Sequence, residues 1–267
     1  MANRISDPLF FLSALFAGLL SVAAAGLPAT AATATVAAAS DLRFALAEIA
    51  DNFTARTGHA VRLTFGSSGN FSRQIRQGAP FDLFFSADEN YVLGLARDGL
   101  TRGTGALYAV GQIVIFVPEG SPLQPDGSLN DLRHALEGGR LRKFAIANPE
   151  HAPYGKRAEE ALRHEGLWAA IQSRLVLGEN VSQAAQFAVS GSTDGGIIAY
   201  SLVLSPRMAR RGRYALIPEA LHSPLRQRVV LLKNAGLAAE RLYDFLRTVP
   251  AKSILERYGF VLPDSGG

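Results

Sequence analysis

The stretch TVAAASDLRFALAEIADNFTARTGHAVRLTF, residues 35–65, contains in one run the pattern that decides the fold. The apolar segment Thr35–Ala39 predicts a short buried strand, and Val61–Phe65 alternates in the manner of a second strand. Between them, apolar residues recur at helical spacing over Leu42–Arg56, and Gly58 follows as a typical helix-terminating residue. Strand, helix and strand in this order predict a parallel β-α-β unit.

Strands and helices alternate with short joints along the rest of the chain, which predicts an α/β fold of mostly parallel sheets flanked by helices. The further predicted strands are Phe81–Ser86, Gln112–Val117, Phe144–Ala147, Leu175–Leu177, Gly196–Tyr200 and Arg228–Leu232. The further predicted helices are Phe71–Gln77, Glu89–Arg97, Ser128–Leu136, Lys156–Glu165, Gln183–Ser190, Leu237–Thr248 and Ala251–Tyr258.

A break in composition divides the chain at Pro118–Gly127, which holds three prolines and two glycines. We expect a crossing between two lobes near Gly111–Val117 and a return crossing near Ser223–Val230. The predicted parts are residues 32–112 and 227–267 for lobe 1, and residues 113–226 for lobe 2. Two lobes joined by two crossings make a clamshell, whose ligand would lie at the carboxyl ends of the strands.

Residues 1–31 show the pattern of a cleaved secretory signal peptide, which predicts export to the periplasm. Arg4 gives a positive start, Pro8–Val22 is mostly apolar, and Ala29-Thr30-Ala31 fits a cleavage site, with Ala32-Thr33-Ala34 as a second option. The alternative is an uncleaved membrane anchor, but the apolar stretch is short for a span of about 20 residues.

The charge and the cysteine count exclude several classes of protein. The chain has no cysteine, so it has no disulfide framework, no thiolate metal site and no lipid anchor on cysteine. Its net charge of +4 rests mainly on scattered arginines. The densest cluster, residues 210–213, is more typical of a solvated turn than of a nucleic-acid patch. We therefore expect no nucleic-acid partner.

Four strand ends lead through turns rich in small residues into helix starts. These segments are Ala38–Asp41, Phe65–Asn70, Asn148–Gly155 and Gly178–Ser182. A helix start leaves backbone N–H groups without partners and carries partial positive charge, which favours a phosphate-like anion. Ser40 and Ser68 add hydroxyl groups, although each is also a typical N-cap residue. Two such segments in each lobe could together hold a small oxyanion without any lysine or arginine.

Three residues in these turns need a separate interpretation. Asp41 would place a carboxylate beside the anion, so we expect its side chain to cap the following helix while its backbone N–H donates to the ligand. Pro153 removes one donor, which makes the N–H of Tyr154 the first free donor of its helix. His151, in the same turn, is expected at the surface.

In this order the segments resemble the periplasmic molybdate-binding proteins of ABC importers, over nearly the whole chain from Val36 to Leu262. The matching motifs are residues 37–40, 67–68, 78–88, 148–155, 179–181 and 257–260. The resemblance implies a two-lobed periplasmic binding protein of the type II clamshell class that is not an enzyme. The molybdate ligands that it implies are Ser40 and Ser68 through their hydroxyls, with Asp41, Tyr154 and Val181 through their N–H groups.

The same resemblance implies molybdate or tungstate as the ligand, an ABC permease as the partner and no cofactor, and we expect a monomer. Some relatives also use a tyrosine hydroxyl late in the second lobe. Here Ala199 holds that position, and Tyr200 points to the opposite face, as neighbouring strand residues do. We therefore do not expect Tyr200 to contribute.

Other binding functions remain open at this level. Sulfate, thiosulfate and phosphate are also tetrahedral oxyanions, and Asp41 could accept the proton that phosphate keeps near neutral pH. An enzyme is disfavoured because no G-x-S-x-G motif is present and because His59, His134, His164 and His222 are scattered without metal-ligand spacing. The effector domain of a transcription regulator is disfavoured by the leader and by the lack of room for a helix-turn-helix.

Overall fold

The computed structural model of this protein describes residues 32–263, so the predicted signal peptide at residues 1–31 lies outside the described residues. The strands are β1 (Thr33–Ala39), β2 (Ala60–Gly66), β3 (Leu83–Ser86), β4 (Ala106–Gly111), β5 (Ile113–Pro118), β6 (Phe144–Ala147), β7 (Leu175–Gly178), β8 (Gly196–Ala199), β9 (Gly212–Leu216) and β10 (Leu225–Leu231). Over the same residues, no helix combines the length and the apolar character that crossing a bilayer requires.

The helices cover both sheets. They are α1 (Arg43–Thr57), α2 (Ser68–Arg76), α3 (Glu89–Arg97), α4 (Asn130–Glu137), α5 (Pro153–His164), α6 (Trp168–Ile171), α7 (Val181–Val189), α8 (Tyr200–Val203), α9 (Leu237–Phe245) and α10 (Val249–Arg257). A 3-10 turn at Ser40–Leu42 links β1 to α1.

The first sheet has the strand order β2-β1-β3-β10-β4. β1 pairs in parallel with both β2 and β3, while β10 pairs antiparallel with β3 and with β4. Four strands therefore run in one direction, and β10 alone is reversed. The predicted β-α-β unit at the start of the chain is confirmed as β1, α1 and β2.

The second sheet repeats this plan with the strand order β7-β6-β8-β5-β9. β6 pairs in parallel with β7 and β8, while β5 pairs antiparallel with β8 and β9. Here β5 is the reversed strand. The predicted α/β fold of two lobes, each a mostly parallel sheet flanked by helices, is confirmed.

The two reversed strands are the first strands after the chain changes sheet. The chain leaves the first sheet after β4 and enters the second at β5, with Gln112 alone between them. It returns between β9 and β10. These joints lie at or beside the predicted crossings, whereas the lobe bounds at residues 32–112, 113–226 and 227–267 stay a prediction.

Large apolar side chains form a hydrophobic core in each lobe, between the sheet and its helices. Phe53, Phe84 and Phe85 are almost fully buried in the first lobe, and Phe116 and Phe144 are fully buried in the second. The ring of Phe53 also packs edge-on against Phe245 of α9, with 5.6 Å between ring centroids. Since the chain has no disulfide, this burial is the main source of stability.

The three helices that follow the second, third and fourth turn segments begin earlier than their apolar periodicity predicts. α2 starts at Ser68 rather than Phe71, α5 at Pro153 rather than Lys156, and α7 at Val181 rather than Gln183. The first turns of these helices are polar or small, so their periodicity is weak. The consequence is that each helix begins inside one of the four turn segments.

Gly111 closes β4 beside the outgoing crossing, in a space that leaves no room for a side chain. A Cβ there would lie 2.3 Å from the Tyr154 hydroxyl oxygen and 2.5 Å from Gln227 Nε2. We expect Gly111→Ala to lower the free energy of unfolding by about 3 kcal/mol, the upper end of ordinary overpacking, because both neighbours must move.

Urea denaturation of the two proteins measures this difference. Gly236→Ala is a matched control, because a Cβ there would have no heavy atom within 4 Å. Its effect should stay under about 1 kcal/mol, from its position before helix α9. Equal losses in the two variants would contradict the predicted crowding at the crossing.

Candidate functional site

The four turn segments meet at one cavity between the lobes. Residues from both lobes line it: Ala39, Ser40, Asp41, Gly66, Ser67, Ser68, Ala87, Ala152, Pro153, Tyr154 and Val181. All five residues that the sequence predicts for the site, Ser40, Asp41, Ser68, Tyr154 and Val181, are among them. The cavity is small in this structure, about 10 Å³, which is close to the room that one water needs and less than a tetrahedral oxyanion needs.

The two predicted serine hydroxyls are oriented by backbone donors. Ser68 Oγ accepts a hydrogen bond from the Ala87 N–H at 3.0 Å, and Ser40 Oγ accepts one from the Ser182 N–H at 3.2 Å. Neither hydroxyl caps its own helix. Because each oxygen already accepts a bond, its own O–H is left to donate, which is what an anion requires.

Backbone N–H groups at helix starts supply the other donors. Asp41 lies in the 3-10 turn, Tyr154 is the second residue of α5, and Val181 is the first residue of α7. In these positions an N–H has no acceptor within its own helix. Asn180 caps α7 by accepting from the Gln183 N–H, which leaves the Val181 N–H to the cavity.

The Asp41 side chain does not cap the following helix, so that prediction is wrong. Its Oδ2 instead accepts from the Tyr154 hydroxyl at 3.0 Å and from Gln227 Nε2 at 2.8 Å. Gln227 in turn accepts from the Tyr108 hydroxyl at 2.6 Å. Asp41 is 1% exposed, and the donors that reach its carboxylate come from α5 and β10, with Tyr108 of β4 behind Gln227.

Burial dominates the acid-base behaviour of this cluster. It raises the pKa of Asp41 to about 6, although hydrogen bonds from Gln227 and Tyr154, and the nearby backbone N–H dipoles of Asp41 and Leu42, pull it down. Burial also raises the pKa of the Tyr154 hydroxyl well above its usual value, with the neighbouring Asp41 adding to the effect. The pKa of the Tyr108 hydroxyl is raised above its usual value for the same two reasons. Both phenols are therefore neutral at physiological pH.

His151 lies at the contact between the lobes and not at the surface, which corrects the prediction for this residue. It is 7% exposed, and its Nδ1 lies 3.0 Å from Ser67 Oγ. Its carbonyl oxygen accepts from the Gly69 N–H at 2.9 Å, where a Cβ would come within 2.7 Å of that oxygen. The sequence carries no signal for a bond made by the backbone of His151 across the cleft.

Further hydrogen bonds across the cleft hold the lobes closed in this structure. Ser182 Oγ donates to the Ser40 carbonyl at 2.8 Å, and Ser201 Oγ donates to the Asp41 carbonyl at 2.8 Å. Both acceptors belong to the turn after β1. The second lobe therefore hydrogen-bonds directly to the backbone of that turn. The sequence predicted only that Ser182 is polar, and not these two bonds.

Tyr200 does not line the cavity, in agreement with the sequence-based expectation. Its ring packs against Tyr214, with 5.6 Å between centroids. A Cβ at Gly259 would lie 2.6 Å from the same ring. The tyrosine that does reach the cavity is Tyr154, whose hydroxyl contacts Asp41.

The raised pKa of Asp41 predicts a specific pH dependence of stability. Its folded-state pKa is about 6 against an ordinary value of 3.8, so the folded protein binds more protons in this window and loses stability as pH rises through it. We expect Asp41→Asn to gain stability relative to the parent between about pH 4 and pH 6. The difference should be constant above that range. Melting temperatures of the two proteins across pH 4–8 measure it, and a constant difference throughout would contradict the burial argument.

Comparisons with known proteins agree with this geometry. The sequence model of the family of bacterial extracellular solute-binding proteins matches residues 34–261 of this chain. The chain is 36% identical over 240 residues to the molybdate-binding protein ModA of Rhodobacter capsulatus, covering 88% of this chain and 90% of that one.

Two solved structures share the fold. The periplasmic molybdate-binding protein of Azotobacter vinelandii superposes with a TM-score of 0.77 at 31% identity, covering 86% of this chain and 99% of that one. The sulfate-binding protein SubI of Mycobacterium tuberculosis reaches 0.72 at 19% identity, covering 88% of each chain, a likeness of fold alone.

Proposed function

Because this chain belongs to the family of bacterial extracellular solute-binding proteins, we propose that it captures molybdate or tungstate between its lobes and delivers it to an ABC permease. The observation that carries the proposal is the convergence of Ser40, Asp41, Ser68, Tyr154 and Val181 on one cavity. The likeness to ModA proteins points to the same ligand.

The donors in the cavity suit a fully deprotonated tetrahedral dianion. Ser40 and Ser68 offer O–H groups, and Asp41, Tyr154 and Val181 offer N–H groups from helix starts. Hydrogen bonds to a charged acceptor are about twice as strong as neutral ones. Fixed backbone donors also set the radius of the site, so the longer metal–oxygen bonds of molybdate and tungstate should be preferred to sulfate.

Binding and closure are coupled in this proposal. Donors from both lobes can bind the same anion only when the cleft is closed, so the ligand stabilises the closed form. The protein acts as a carrier and has no catalytic step. It works as a monomer in the periplasm, after residues 1–31 have been removed. It needs no resident cofactor and no nucleic acid, and molybdenum is its cargo.

Calorimetric titration of the mature protein with molybdate, tungstate, sulfate and phosphate tests the function. We expect one molybdate or tungstate per chain and much weaker binding of sulfate. Absence of any heat or thermal shift with molybdate and tungstate would overturn the proposal. Displacement of molybdate by a modest excess of sulfate would make the protein a general binder of sulfate-like anions.

Ser68→Ala should weaken molybdate binding without unfolding the protein. A hydrogen bond to a charged partner contributes about 1.5–3 kcal/mol, which corresponds to roughly 10- to 150-fold in affinity. Ser72→Ala on the same helix is a matched control, because Ser72 is also buried but contacts Arg76 rather than the cavity. Equal affinities for the two variants would show that the Ser68 hydroxyl is not a ligand.

A further inference from the structure

Among the residues that the structure describes, Asp41 is the only charged one that lines the cavity. Its side chain is 1% exposed, and its Oδ2 is occupied by Tyr154 and Gln227. Its Oδ1 has no hydrogen-bond partner among the residues that the structure describes. A buried acceptor without a partner is costly, and this one belongs to a residue that lines the cavity together with the hydroxyl-bearing Ser40 and Ser68.

A bound dianion would make this arrangement worse if Asp41 stayed ionised. Three negative charges would then share one enclosed site, and no lysine or arginine within residues 32–263 lines the cavity to balance them. The groups that face Asp41 are the Tyr154 phenol from α5, Gln227 from β10 with Tyr108 behind it, and Ser201 from α8. The imidazole of His151 contacts Ser67 and Glu179 and not Asp41. None of these groups supplies a compensating positive charge.

We propose that Asp41 binds the oxyanion as a neutral carboxylic acid: Oδ1 takes up a proton from solvent, keeps it, and donates a hydrogen bond to an oxygen of the anion. This inference rests on the proposed function and adds a side-chain ligand to the backbone N–H of the same residue. It also turns an acceptor into a donor, so the cavity becomes a complete set of donors when it is occupied.

The link between protonation of Asp41 and binding of the anion has a definite sign. The pKa of Asp41 in the free protein is about 6, and a nearby dianion raises it further. Above pH 6 the free protein is ionised and the complex is protonated, so binding takes up a proton. Affinity should therefore fall by up to about tenfold per pH unit above pH 6, until the pKa of the complex is reached. Below pH 6 this dependence should vanish.

Proton uptake can be measured directly by titrating the mature protein with molybdate in buffers of different ionisation enthalpy, between pH 7 and pH 8.5. We expect uptake of about one proton per anion in the parent. Asp41→Asn should show no uptake and an affinity that does not change with pH, since an amide keeps the size of the side chain without titrating. Asp51→Asn, which removes the same charge from an exposed site on α1, should behave as the parent.

The outcomes separate the two proposals. Molybdate binding with no net proton uptake in the parent would overturn the role of Asp41 and leave the proposed function intact. Uptake that persists in Asp41→Asn would assign the proton to another group, for which His151→Gln is the next variant to test. No binding by the parent at any pH would overturn the proposed function, and this inference with it. The measurement on the parent stands even if Asp41→Asn does not fold.

Discussion

Backbone N–H groups at a helix start have no acceptor in their own helix, and the structure of this protein is arranged around that constraint. The strands of each sheet deliver several helix starts to the same edge, and closure brings the two edges together. Side-chain caps would satisfy these donors, but the 3-10 turn, α2 and α5 have none. The unsatisfied donors are therefore concentrated in one small cavity, where an anion is the natural acceptor.

Much of the fold could be predicted from local patterns. The helix Glu89–Arg97 and the strand Phe144–Ala147 have the predicted bounds, because their apolar residues are buried and bounded by clear turn residues. The strands β4 and β9 were not predicted. Both are edge strands. β9 has the sequence GRYAL, with Tyr214 at 40% exposure, so it shows no continuous apolar run, whereas β4 is apolar but is separated from β5 by Gln112 alone. Edge position is a property of the sheet and is invisible in the strand's own sequence.

The site was predictable as a set of donors but not as a network. Ser40, Asp41, Ser68, Tyr154 and Val181 each follow a predicted strand end, and parallel strands bring such ends to one edge. The partners of the Asp41 carboxylate could not be predicted in this way, because they lie 113 and 186 residues further along the chain. A carboxylate at a helix start predicts a cap from local rules alone. Burial overrides those rules here, because distant donors remain available where solvent is excluded.

The contact at the mouth of the cleft has a practical consequence for observing this protein. Asn70 Nδ2 of the first lobe lies 3.2 Å from Glu179 Oε2 of the second, at partly exposed positions on opposite sides of the opening. The chain contains no cysteine, so two introduced thiols there would be the only sites for maleimide dyes. The separation of the two dyes would report how far the cleft is open. Single-molecule fluorescence could then follow each capture and release of an anion in real time.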